Sequence, residues 1–125
     1  MWEQKNAKID HTRLGVQHTN HGILSFSIGL NYGGGGQSFG MITLDNFDKD
    51  QDKRVATLLA GSLLLAIDDV FRVDWEKLGG LSCRALSTNC QVRAIGHYLK
   101  DKWLWFDVDT MAFVVTTFDQ VPKHI

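Results

Sequence analysis

The chain has 125 residues, of which 44% are apolar and 22% charged, with 13 lysines and arginines against 14 aspartates and glutamates. That length fits one domain, residues 1–125, large enough to bury a core without staples. The formal charge of −1 excludes a global field that would gather nucleic acid or an anionic membrane, so an anionic partner has to be met by a local group of cations.

The segment from Lys8 to Gln17, with Ile9, Leu14 and Val16 as its apolar members, reads as a first strand. A turn follows at His18-Thr19-Asn20-His21-Gly22. From Ile23 to Tyr32 the alternation is regular, with Leu24, Phe26, Ile28, Leu30 and Tyr32 on one side and Ser25, Ser27, Gly29 and Asn31 on the other. Period two with a polar opposite face means a half-buried antiparallel strand, and small residues on the outer face leave room for another surface.

The glycine-dense stretch Asn31-Tyr32-Gly33-Gly34-Gly35-Gly36-Gln37-Ser38-Phe39-Gly40 comes next. Glycine amides reach φ > 0 freely and can face an anion, yet the same residues make a plain hairpin loop. Ordering so many glycines costs entropy, which points to a ligand or a second chain that orders them. Ser38 to Leu44 reads as the return strand, ended by Asp45 and Asn46.

The charged run from Asn46 to Arg54 reads as a loop whose aspartates cap a following helix. Helical periodicity extends from about Asp52 to Phe71, with Val55, Leu58, Leu59, Ser62, Leu63, Ala66 and Val70 on one face and Leu64, Leu65 and Ile67 widening it. A helix apolar over that much of its circumference is sunk in the core or forms a subunit contact. A short helical turn over residues 73–78, stopped by Gly79-Gly80, precedes two strands, Leu81 to Leu86 and Gln91 to Leu99, joined by a tight turn at Ser87-Thr88-Asn89. After a second turn at Lys100-Asp101-Lys102, the aromatic run Trp103-Leu104-Trp105-Phe106 and the β-branched stretch from Met111 to Phe118 complete the pattern. The expected fold is α+β, an antiparallel sheet of about five or six strands against one long and one short helix.

No enzyme motif stands out, whether GxSxG, HExxH or a phosphate loop, since the glycines lead into a strand without a following Lys-Ser/Thr. Catalysis therefore survives only as an unrecognised arrangement, such as a base at His97 or His21. No metal or cofactor is expected: His18 and His21 lack completing ligands, and Asp48, Asp50 and Asp52 lack the glycine and glutamate of a calcium loop. Cys83 and Cys90, without CxxC spacing, read as reduced thiols. The backbone beside Gly36, Gln37, Ser38 and Phe39 offers donors, while Arg54, Arg84 and Arg93 are either solvated charges or forked donors to phosphate. Phe39, Trp103 and Trp105 either pack in the core or stack on a base. The start, Met1-Trp2-Glu3-Gln4-Lys5, lacks the apolar stretch of a secretion signal, and the apolar run from Leu63 to Ile67 is too short to span a membrane. A cytoplasmic location with no membrane partner is the expectation.

His21-Gly22-Ile23-Leu24-Ser25, the stretch from Tyr32 to Gly40, Leu44-Asp45, Trp75-Glu76-Lys77-Leu78-Gly79-Gly80 and the stretch from Ile95 to Trp103 together resemble the phage anti-Thoeris sponge proteins. That family sequesters the cyclic ADP-ribose-type signal with which a bacterial defence system triggers cell death. The resemblance implies a non-catalytic homo-oligomer, dimer to hexamer, acting in the host bacterial cytosol. Its partner would be a cyclic nucleotide signalling molecule rather than a nucleic acid polymer. Met41-Ile42 stands where the family pattern has Gly-Tyr. The expected ligand set is Gly36, Gln37, Ser38, Phe39, Arg54, Arg84, Arg93 and Trp103, with Arg54 foremost. The alternative is a non-catalytic protein-interaction module of a phage or its host.

Overall fold

The computed structural model describes residues 2–18 and 22–123, and of Met41 the backbone alone. Its strands are β1 (Trp2–Gln17), β2 (Ile23–Asn31), β3 (Gly36–Thr43), β4 (Asp45–Asp48), β5 (Lys53–Ala56), β6 (Ser82–Thr88), β7 (Gln91–His97), β8 (Trp103–Asp107) and β9 (Ala112–Thr116). Helix α1 (Leu59–Phe71) lies between β5 and β6. Seven strands form one antiparallel sheet in the order β3-β2-β1-β6-β7-β8-β9, and β4 with β5 makes a separate hairpin. The α+β class agrees with the sequence pattern. The sheet has more strands than expected, and the second helix is only a 3₁₀ turn, Trp75–Lys77.

Strand β1 organises the sheet because its two halves pair with different neighbours: residues 2–8 with β6, and residues 8–17 with β2. Only Ala7 and Ile9 are buried along it. Its first half carries almost no apolar alternation, and is held in the sheet by ladder hydrogen bonds that sequence periodicity does not report. The sheet bends so that edge strand β3 comes back over β7, where the Gln37 side-chain amide donates to the Cys90 carbonyl at 2.9 Å.

Two buried clusters lie on opposite faces. The larger joins Ile9, Phe26, Ile28, Leu30 and Phe39 to Leu63, Ile67 and Val70 of α1 and to Ala85, Ile95, Leu104 and Phe113. On the other face Leu86, Ala94, Trp103 and Trp105 are covered by the tail through Phe118 and Val121. The Trp2 indole N–H donates to the Lys123 carbonyl, which fastens that tail to the first strand. Alternation along β7 and β8 supplies both clusters, as period two requires.

Helix α1 starts later than its periodicity suggests. Residues 45–56, expected as a loop and the first helical turns, form the β4–β5 hairpin. Asp48 turns inward on its own loop, its Oδ1 accepting the Asp50 amide at 2.9 Å, so the aspartates cap a turn and not the helix. The N-cap position is Leu58, which has no side-chain cap, and just before it Thr57 Oγ1 accepts the Leu59 amide at 3.2 Å. Val55 consequently sits on a strand, and Leu58 is 87% exposed at the helix entrance. The β6–β7 turn is also displaced: Asn89 and Cys90 carry positive φ as a two-residue turn, while Ser87 and Thr88 remain buried strand residues.

Candidate functional site

The four glycines form the end of the β2–β3 hairpin. Asn31 pairs with Gly36, and the Tyr32 amide donates to the Gly35 carbonyl at 2.8 Å. Gly33 needs its positive φ for this turn, and the Asn31 carboxamide accepts its amide at 2.7 Å. A Cβ at Gly33, Gly34 or Gly35 would meet no atom within 4 Å. Gly40 is different, because a Cβ there would fall 2.7 Å from the Phe26 carbonyl oxygen. Here β2 and β3 approach closely beside a break in register between Ser25 and Ser27.

Where β3 returns over β7 it leaves a cleft of 630 Å³. Gln37, Ser38, Phe39, Gly40 and Ile42 line one wall, and Cys90, Gln91, Val92, Arg93, Phe106 and Val108 line the other. At its end the Tyr32 hydroxyl donates to Gln37 Oε1 at 2.5 Å while the Gln37 amide reaches Cys90. The glycine hairpin is thus tied to the β6–β7 turn through one glutamine. Phe39 forms part of the floor, 3% exposed and edge-on to Phe26 at 5.9 Å.

Arg93 is the cation of this cleft. Leu86 pairs with Ala94 and Ser87 with Val92, so Arg93 is the extra residue of a β-bulge. A bulge redirects a side chain that regular alternation would send elsewhere. The arginine Nε is buried without a hydrogen-bond partner among the described residues. An orphaned donor of this kind is costly unless something accepts from it.

The other predicted residues are dispersed. Gly36 lies beside the cleft, in a shallow hollow with Asp10, His11 and Ser38. Arg54 does not flank the helix start; it sits on β5, where Nε donates to Asp45 Oδ2 at 3.1 Å and Nη2 to Oδ1. That pair holds the buried Asp45 carboxyl below the usual carboxylate range, the hydrogen bond from Arg54 being the largest cause. Arg84 donates to the His97 carbonyl at 2.8 Å and the Lys100 carbonyl at 2.7 Å, and lies 4.8 Å from the Trp103 ring centroid. Trp103 has no exposed surface and offers no face to a ligand. Arg54, Arg84 and Trp103 therefore lie outside the cleft lining, each with a structural partner on another part of the molecule.

His97 is likewise committed, its Nδ1 accepting the amides of Leu99 at 3.0 Å and Lys100 at 2.9 Å. Its pKa is lowered by burial first and then by the charges of Lys100, Arg84 and Lys102. His21 lies outside the described residues. Burial pushes the Cys83 thiol up to about 12, whereas Cys90 is exposed at the cleft rim. No set of three or more metal-binding side chains is grouped among the described residues, and no helix there is long and apolar enough to cross a membrane.

Phe106, Val108, Cys90 and Ile42 are lining residues that the sequence did not single out. Phe106 was visible as the end of an aromatic run, but its position opposite Phe39 depends on the curl of the sheet. No family model, curated protein or solved structure matches this chain.

Proposed function

We propose that the protein binds a phosphate-bearing small molecule of the cyclic ADP-ribose type in the β3–β7 cleft and sequesters it without cleaving it. The observation that carries this reading is Arg93, a bulge-directed guanidinium with an unpartnered buried Nε, set in a cleft whose other contacts are mainly apolar. A forked cation suits a phosphate, and the apolar wall around Phe39, Phe106 and Val92 suits a base or ribose face. The cleft volume lies within the usual range for small-molecule sites, about 300–1,000 Å³. Ser38 and Gln37 add a hydroxyl and an amide along the same wall, the latter after release from Cys90. The ligand class is what the resemblance implies, and the cleft's volume and lining support the reading.

In this reading the protein is a phage product acting in the host cytosol as a homo-oligomer. Leu58 at 87% and Leu65 at 75% exposure supply an apolar surface for subunit contact. The test is to incubate the protein with cyclic ADP-ribose isomers, remove free ligand, and release what is bound by heat. Recovery of intact nucleotide is expected. Linear product, or no nucleotide with any isomer, would contradict the reading.

A further inference from the structure

A second, smaller hollow of 130 Å³ adjoins the β3–β7 cleft and shares Gln37 and Cys90 with it. The two residues joined by the Gln37–Cys90 hydrogen bond are thus a wall common to both spaces. Glu3 and Lys5 of β1, Ser87 of β6 and Asn89 of the following turn complete the lining. Register explains the grouping. Glu3 pairs with Ser87 and Lys5 with Ala85, so Glu3, Lys5 and Ser87 project from one face of the sheet.

Ser87 is only 7% exposed, yet its hydroxyl has no hydrogen-bond partner among the described residues. A hydroxyl withdrawn that far from water is costly unless a group in the hollow meets it. The charges there do not select an ion. Lys5 and Glu3 are the charged residues of the lining; they stand 3.4 Å apart, and Lys5 also lies 5.0 Å from the Tyr32 ring centroid. One positive and one negative group at that separation offset each other, so neither a phosphate nor a free amine is favoured. What remains is a mixed set of donors and acceptors: the carboxylate accepts, the ammonium donates, and the hydroxyl and the Asn89 carboxamide do both. A sugar hydroxyl, itself donor and acceptor, is the matching chemistry. An acidic side chain accepting from a ribose hydroxyl is also how dinucleotide sites hold their sugar. The space is that of about four waters at roughly 30 Å³ each, which suits one sugar ring without its base.

We infer that this hollow is a sugar subsite, holding the vicinal hydroxyls of a ribose against Ser87 and Glu3 while the rest of the molecule lies in the cleft beside Arg93. The inference rests on the sequestration reading for the identity of that molecule, and on the lining of the hollow for the sugar.

The probe is methyl β-ribofuranoside, with the corresponding deoxyriboside as control. Each is titrated into isotope-labelled native protein, Ser87→Ala and Glu3→Gln, all checked for a native thermal midpoint, and backbone amide shifts are followed by NMR. Saturable shifts of the Ser87 and Asn89 amides are expected with the riboside, at affinities weakened about three- to tenfold for the deoxyriboside and in either variant. No shift of those amides, equal affinity for the deoxyriboside, or unchanged affinity in either variant would overturn the subsite. A parallel titration with cyclic ADP-ribose isomers separates the two readings. Isomers bound by a protein whose Ser87 and Asn89 amides ignore the riboside would leave sequestration standing and remove the subsite. Riboside bound with the expected preferences by a protein that takes no isomer would do the reverse.

Discussion

Gly96→Ala is expected to destabilise the protein through Trp103. A Cβ at position 96 would lie 2.7 Å from Cδ2, 2.8 Å from Cε3 and 3.0 Å from Cε2 of the indole. The ring cannot easily withdraw, because Trp103 is fully buried, Phe118 meets it at 5.5 Å, and the Arg84 guanidinium lies 4.8 Å from its centroid. Arg84 is itself anchored on two backbone carbonyls. Overpacking of this kind costs about 1–3 kcal/mol, equivalent to a fall in Tm of roughly 4–12 °C for a domain of this size. Urea unfolding followed by circular dichroism, with unchanged m, would measure it. The double variant with Trp103→Phe should cost less than the sum of the two single changes, since the smaller ring makes room for the methyl. Native stability in Gly96→Ala, or strict additivity in the double variant, would refute the packing argument.

Three further outcomes follow from the geometry. Because the folded-state pKa of His97 lies below its ordinary 6.5, the unfolded chain takes up the proton first, so stability should fall as pH drops through that value and level off below the folded pKa. His97→Asn keeps an acceptor for the Leu99 and Lys100 amides, and should remove this loss when urea midpoints are compared between about pH 7.5 and 5.5; an equal loss in the variant would contradict the assignment. Asp45 is also lowered, from 3.8, so its contribution is complete above that value and lost as pH falls toward the folded pKa; the gap in urea midpoint between native protein and Asp45→Asn should close over that window, and a gap independent of pH would refute the Arg54 pairing. Gly34→Ala should leave stability within about 0.5 kcal/mol of native, while Gly40→Ala, at φ 130° and against the Phe26 carbonyl, should cost about 1–3 kcal/mol; equal effects in thermal melts would overturn the distinction drawn between the two glycines.

What the residues disclosed in advance was mostly what alternation and helical spacing can carry. Strand β2 is legible because Phe26, Ile28 and Leu30 alternate with serines and glycine, and the body of α1 because Leu59, Leu63, Ala66, Ile67 and Val70 share a face. The β4–β5 hairpin is illegible for the opposite reason, being short, charged and held by local hydrogen bonds. In the site, Gln37, Ser38, Phe39 and Arg93 do meet, but what brings Arg93 to them is a bulge, a property of register that one strand's sequence does not contain. Arg54 lies on β5, because the helical periodicity runs past the start of α1 at Leu59 into the β4–β5 hairpin. Aromatic character alone does not distinguish a stacking platform from a ring packed, as Trp103 is, over Gly96 and beneath the tail.

Calorimetric titration of cyclic ADP-ribose isomers into the native protein and into Arg93→Ala tests the central claim most directly. Saturable binding of at least one isomer, weakened about tenfold or more in Arg93→Ala with the variant's melting curve native-like, is the predicted result. No binding of any isomer, or equal affinity without the guanidinium, would contradict it.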